Sequence, residues 1–579
     1  MDDYSVPLEA RKVLLDGIIN NPLHSSCPAE LKEAAESIEY VGHDKPTIPV
    51  NWRFAESISA IKGFYGSMLN VLMKKKYDID YQKIVIDTDH AQLFIMSIQM
   101  PVIDPFGSKT SDWNDPIFQK YFPDGDKYHA MYGRNIDRAA TNIYRTKDGR
   151  FYHVHGMVCA TSFIYPTEKT PASLNAAPVQ SALGIDPTLD VSTFEEACEI
   201  YQNKVLRYTA AELDHLMNDE YRQAGTTCWT VDEFKASDHG KANAHVGLFE
   251  LHHVPNPKQA PGWWTPVDGL TGPARPLFGL KVLDLTRIIA APTITRGLAE
   301  LGASVLRIAS PSVPDFTVLL PDLGWGKWNA HLDLTKPEDR DRLRALILES
   351  DVVVDGYRPG VMKKWGFGKE DILNLVRERE RGIIYVHENC YGWNGPWTGH
   401  SGWQQISDAN TGVSIEFARA MGNDEAVTPV LPNSDFCTGA VGATGVLQAL
   451  IEQSEKGGSY VLDVALNYYS QWLVNSVSTY PKTVWDELWN TYNRPTLRHT
   501  DNMPITLALF AKLLKTTRIM DPRFFEIREN GALGVPFKMI KPILQFPQGL
   551  VTPGFNVGAR ANGTDQPVWP NNLLTEVIV

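Results

Sequence analysis

Short apolar strands alternate with amphipathic helices from residue 279 to about residue 400, and that alternation fixes the fold class more firmly than any other feature of the chain. The first unit, KVLDLTRIIAAPTITRGLAELGASVLRI, reads as a buried strand over 281–285, a helix over about 292–302 and a second strand over 304–308. A helix end (LRALILES), a strand (DVVVDGY), a helix (EDILNLVRERE) and a further strand (GIIYVHE) follow. Strands that are apolar throughout, rather than on alternate residues, are buried on both faces, which calls for helices above and below a parallel sheet. The expected architecture is α/β: a doubly wound, Rossmann-like parallel sheet domain plus a smaller α+β domain. The sheet begins halfway along 579 residues, so the front half is no ordinary N-terminal domain.

The rest of the chain divides around that sheet. Residues 1–110 carry a polar, turn-rich start and a long helical pattern, RFAESISAIKGFYGSMLNVLMKK, followed by the strand KIVIDTD. Residues 140–255 form the small α+β domain, opening with the hairpin NIYRTKDGRFYHVHG and continuing into two amphipathic helices. A proline- and glycine-rich linker spans 255–278, the sheet domain runs over 279–475, and a helical and extended tail fills 476–579. A faint internal repeat connects 56–87 with 435–463. Each has an acidic residue, two glycines three apart, an apolar helix and a strand ending in aspartate, so that Glu56 falls on Asp435 and Gly63 and Gly66 on Gly442 and Gly445. Any two amphipathic helix–strand units share part of that layout.

Composition narrows the partners. A net charge of −13 argues against nucleic acid and anionic membrane, which need a basic surface, but leaves room for a local basic pocket. Six scattered cysteines (27, 159, 198, 228, 390, 437) without a C-x-x-C pair indicate neither zinc nor a disulfide framework. Acidic residues stand where a signal peptide is basic, and the end Thr-Glu-Val-Ile-Val carries no retention address, so the expectation is a cytoplasmic protein.

Three constellations bear chemistry. The turn after the first strand, Thr286-Arg287-Ile288-Ile289-Ala290-Ala291-Pro292, lacks every glycine of a dinucleotide fingerprint, and Ala309-Ser310 replaces the ribose-binding acid, which disfavours an NAD oxidoreductase. Asp355-Gly356-Tyr357-Arg358-Pro359-Gly360, with Lys363 and Lys364 behind it, suits phosphate groups or is an ordinary strand-to-helix connection. Asp435, just ahead of an apolar helix, is either an N-cap or a partly desolvated carboxylate nucleophile with glycine amides nearby as oxyanion donors. No G-x-S-x-G elbow exists, and His153, His155, His252 and His253 read as structural histidines rather than ligands.

Taken in order, PLFGLKVLDLTRIIAAP, LGASVLRI, WNAHLDLTKPEDRDRLRALILESDVVVDGYRPGVMKKWGFG, IIYVHENCYGWNGP, GWQQISDANTG and LPNSDFCTGAVGATG resemble the family III CoA-transferases, the formyl-CoA transferase and carnitine CoA-transferase type that also includes α-methylacyl-CoA racemases. The resemblance covers 276–470 densely and the hairpin and helices of 140–255 more loosely. It implies a catalytic aspartate at Asp435, with no permanently bound cofactor and coenzyme A or acyl-CoA as substrate. In that mechanism the carboxylate attacks an acyl-CoA to give an aspartyl anhydride, thiolate returns to give an aspartyl thioester, and a small carboxylic acid collects the CoA. By motif position Arg287, Ile289, Ala290, Leu332, Gly356, Tyr357 and Lys364 line the CoA site, and no metal is implied.

The chain departs from the family pattern at Ala309, where the family has an acid, and at Trp403-Gln404, where it has Tyr-Asp/Glu. Racemases place a histidine–aspartate proton-transfer pair at that second point. Trp403 and Gln404 move no proton and His400 lies three residues early, so a transferase is expected before a racemase or isomerase. A non-catalytic acyl-CoA-binding paralogue is the other alternative, since no glycine-rich loop stands between 475 and 535. In the family the sheet comes first and the small domain follows the catalytic helix; here a catalytic-helix-like segment and small domain come first. That order implies a tandem duplication that lost the front of one copy and the middle of the other. Family members work as two interlocked chains, so the expectation is a homodimer or an intramolecular pseudo-dimer, with Glu56 in a non-catalytic vestige.

Overall fold

The computed structural model describes residues 4–107, 113, 115–123, 134–156, 176–313 and 315–579. Its centre is a sheet of seven strands, numbered here along the chain. Six are parallel, in the order Lys327–His331 (β10), Ser304–Ala309 (β9), Lys281–Leu285 (β8), Val352–Asp355 (β11), Ile384–Asn389 (β12) and Ser459–Ala465 (β13). Counted from β8 this is the order 3-2-1-4-5-6 of a doubly wound sheet, with its topological switch between β8 and β11. The strands are apolar on both faces because helices cover both. The first crossover helix, Ala290–Glu300, starts two residues earlier than its apolar period suggests.

The seventh strand, Glu250–Val254 (β7), pairs antiparallel with β13, Leu251 opposite Leu462. It covers an edge that would otherwise present unpaired backbone groups. The small domain therefore ends before this strand, not at 255. The segment 255–278 is no free linker either. Trp264 is buried and donates to the Phe278 carbonyl at 3.0 Å, and the buried Gln259 donates to the Val376 carbonyl at 3.0 Å. Apolar side chains between its prolines hold it against the sheet domain.

The small domain is a three-stranded antiparallel sheet of Thr141–Arg145 (β4), Phe151–His155 (β5) and Ala224–Thr227 (β6), with the helix Phe194–Val205 packed on it. Two minor sheets complete the strands: a parallel pair, Ile38–Val41 (β1) and Ile84–Asp87 (β2), and a set formed by Val102–Ile103 (β3), Phe525–Arg528 (β14) and Phe537–Ile540 (β15). The tail beyond β15 runs extended along the sheet domain, bridging Leu301 to Gly554 and Ala330 to Asp565. Among the described residues no helix is long and apolar enough to cross a membrane.

Two buried helices cross at the heart of the molecule, Phe54–Tyr77 and Asn433–Lys456. Each has 24 residues, an acid at its third position (Glu56, Asp435) and a preceding residue in the same unusual backbone state, φ −75° and ψ 63° at Arg53 against φ −74° and ψ 56° at Pro432. Their glycines do parallel work. Gly445 lets Leu462 of β13 approach, and Gly66 lets Ile84 of β2 approach; Gly442 meets Ile294 of the first crossover helix, and Gly63 meets Tyr40 and Leu14 of β1 and the helix Val6–Leu14. One continuous apolar core joins the front segment to the sheet domain.

Candidate active site

Asp435 sits in the first turn of its helix, not at the cap; Pro432 holds the cap position and supplies no side-chain acceptor. Its carboxylate is 8% exposed, makes no hydrogen bond among the described residues, and is pushed by burial up to about 7. The neighbouring glycines offer no oxyanion amides, because Gly439, Gly442 and Gly445 lie inside the helix, where their N–H groups belong to the backbone ladder. Their service is close packing: a Cβ on Gly439 would fall 2.4 Å from Thr293 Cβ and 2.7 Å from the Ala290 carbonyl oxygen. That contact presses the start of the Asp435 helix against the start of the first crossover helix.

Other acids gather around Asp435. Glu388, half-buried at the C-terminal end of β12, is pushed up to about 8 by burial and then by the Asp435 charge. Asp408, buried on the helix Gln404–Asn410, is held well above the carboxylate range by burial and by Asp435, although the Gln404 amide donates to it. Burial and the charges of Glu388, Asp435 and Asp408 likewise raise the Cys390 thiol. The motifs pointed to Asp435 but not to Glu388 or Asp408. The one available signal for Glu388 was an acid ending an otherwise apolar parallel strand.

The residues expected around CoA lie along the C-terminal edge of the parallel strands, and the switch point gathers most of them. Arg287 is half-buried just after β8, and its charge acts on Tyr357, Asp315 and Arg358. Ile289 caps the first crossover helix and Ala290 begins it. Between Arg287 and Ile289, Ile288 is held at φ +70°, a costly state for a β-branched residue and a frequent mark of functional turns. Gly356, after β11, closes on this turn: a Cβ there would lie 2.5 Å from Ala291 Cβ. The Tyr357 amide donates to Asp355 at 3.0 Å.

Arg358 is desolvated beside Arg287 and Arg222 and is pushed down to about 10; its Nη1 donates to the Arg222 carbonyl at 3.1 Å. A cluster of guanidiniums in an acidic protein is arranged for an anion. Beneath it Arg307 is paired with Asp315 at 2.7 Å and tied to Asn562 of the tail at 2.6 Å, which fixes the turn from below. Two expected residues stand apart. Leu332 is buried in the sheet's outer core and can present only its backbone, and Lys364 is exposed, 5.2 Å over the Trp365 ring.

The small domain roofs the site from within the same chain. Ala224 of β6 packs with Ala290, Cys390, Tyr391, Ile406 and Leu466, with Trp397 and Trp403 at the margin. His400 faces Asp219 at 3.9 Å and the Tyr391 ring.

The model of CoA-transferase family III matches residues 277–506. The acetyl-coenzyme A transferase nodX of Hypoxylon pulicicidum is 46% identical over the whole of this chain and 95% of its own length. The chain belongs to CoA-transferase family III. An acyl-CoA transferase of Gibberella moniliformis is 29% identical over 90% of this chain and 88% of its own length. The β subunit of succinyl-CoA–L-malate CoA-transferase of Chloroflexus aurantiacus is 33% identical, but over 34% of this chain and 51% of its own length. This family III enzyme is a CoA-transferase, with CoA thioesters as substrates. Its likeness to the Hypoxylon protein extends through the front helix and the small domain, so that unusual order is shared between the two.

Proposed function

We propose that this CoA-transferase moves CoA from an acyl-CoA donor, acetyl-CoA foremost, to a small carboxylic acid through covalent intermediates on Asp435. The observation that carries this reading is a buried carboxylate without a hydrogen-bond partner, beside the guanidinium-lined switch point and under the small domain. The name of the 46% identical relative supports acetyl-CoA as donor.

In the first step an Asp435 oxygen attacks the thioester carbonyl and the C–S bond breaks, giving an aspartyl acyl anhydride and CoA thiolate. The thiolate then attacks the Asp435 carbonyl, forming aspartyl-CoA thioester and releasing the donor's acid as its carboxylate. The acceptor carboxylate attacks that thioester and frees the thiolate again, leaving a second anhydride. Thiolate attack on the acceptor's acyl carbon gives the new acyl-CoA and restores the Asp435 carboxylate. Each intermediate is lost to hydrolysis if water enters, so the burial of Asp435 is part of the chemistry.

Arg287 and Arg358 hold the phosphates of CoA, Gly356, Tyr357, Ile289 and Ala290 shape the passage to Asp435, and Leu332 and Lys364 lie further along the same edge. Glu56 is the counterpart of Asp435 in a degenerate first copy. Incubation with acetyl-CoA and hydroxylamine should place a hydroxamate on Asp435, and Asp435→Ala should abolish transfer. Intact transfer by that variant would overturn the assignment.

A further inference from the structure

On the strand next to β6, the small domain carries a histidine that satisfies none of its own hydrogen bonds. His155 ends β5, paired with Ala224 of β6, the residue that packs on Ala290 and Cys390. It is 1% exposed, and among the described residues neither ring nitrogen has a partner. Its neighbour His153 has one nitrogen 2.8 Å from the Val154 carbonyl, so burial alone does not force the deficit. Opposite His155, 5.7 Å between ring centroids and nearly parallel, lies Trp403, whose buried Nε1 also lacks a partner. Next to Trp403 the buried Gln404 spends its amide nitrogen on Asp408 and leaves its oxygen unpaired. Arg358 adds a buried, unpartnered Nη2 whose charge reaches His155.

Buried polar groups without partners are costly, and each calls for an explanation such as a bound group that would satisfy it. A neutral imidazole offers one donor and one acceptor, and an indole offers one donor. Two N–H donors from facing side chains match the two oxygens of a carboxylate. The layer also adjoins the acids around Asp435, since the Cys390 thiol donates to the Trp403 carbonyl at 3.6 Å and Cys390 feels the Asp435 charge.

We infer that His155 of the small domain and Trp403 of the sheet domain together bind the carboxylate of the acceptor acid and orient it toward Asp435. The inference rests on the transferase chemistry proposed above and names the acceptor's subsite. Trp403 stands where the family pattern has tyrosine, and it brings an indole N–H to the seam.

Isotope exchange between labelled acetate and acetyl-CoA tests this without knowledge of the physiological acid. His155→Phe and Trp403→Phe keep a ring in place and remove the donor. Each should raise the KM for acetate about tenfold, the effect of one buried hydrogen bond, while the KM for acetyl-CoA moves by less than about twofold. Acetate KM values within about twofold of the natural protein in both variants would overturn the inference. A second readout separates it from the covalent mechanism. Acetate, compared with chloride at equal ionic strength, should raise the melting temperature of the natural protein and not of His155→Phe. An equal shift in both overturns the acceptor subsite. A natural protein that binds acetate through His155 yet forms no adduct at Asp435 would leave the subsite standing and remove the mechanism.

Discussion

Asp435 is held in a state that works against folding and, in the mechanism proposed above, for catalysis. Burial lifts its pKa from the ordinary aspartate value to about 7, so the folded chain binds more protons than the unfolded one between those limits. That binding favours the fold at low pH, and the benefit is lost as pH rises through about 7. Asp435→Asn should therefore melt above the natural protein at about pH 8 and close to it near pH 4, a difference calorimetry at the two pH values will show. In the proposed mechanism the ionised form attacks, so the rate of adduct formation should climb as pH rises through about 7 and then level off, read by stopped release of CoA thiol. Arg358→Ala removes one guanidinium of the proposed phosphate site. It should raise the KM for acetyl-CoA by roughly tenfold or more with a smaller change in kcat, since that contact is made equally in ground and transition states.

At the scale of elements, the site depends on how closely two helices meet. Gly439 has no room for a side chain, because a Cβ would collide with Thr293 and with the Ala290 carbonyl. Gly439→Val should cost about 1–3 kcal/mol or more in a denaturant melt and reduce transfer with it, since it displaces the start of the nucleophile's helix. The parallel sheet was legible in the sequence because its strands are short, apolar throughout and separated by helices of clear period. Asp435 stood out as the candidate because six motifs stand in family order. A strand ending at His252-His253 was legible too, but not its place in the large sheet, since the proline-rich stretch after it looked like a boundary while its pairing partner, β13, lies about two hundred residues away. Glu388 and the His155–Trp403 pair escaped for the same reason. Their meaning arises from neighbours on other elements, and nothing local marks a histidine whose nitrogens lack partners.

For the whole molecule, the two crossing helices are alike in length, in the position of their acid and in the close contacts of their glycines. Glu56 lies where Asp435 lies in the matching helix, but its carboxylate is fully buried and taken by the hydroxyls of Tyr4 and Tyr480, the latter at 3.0 Å, with Arg53 3.9 Å away. The space around the front helix's acid is filled by side chains. Glu56→Gln should leave transfer at Asp435 unchanged and lower stability by roughly 1–3 kcal/mol, measured by activity and thermal melting on the same sample. The sheet domain, the small domain that roofs it and the second long helix all come from one chain, so the proposed site needs no second copy. Specific activity that stays constant on dilution is the corresponding expectation.

The most direct measurement is peptide mass mapping after acetyl-CoA and hydroxylamine are added together. A hydroxamate on Asp435, absent at Glu56, Glu388 and Asp408 and absent without acetyl-CoA, is the predicted result. Sustained CoA transfer with Asp435 unmodified, or with asparagine in its place, would contradict it.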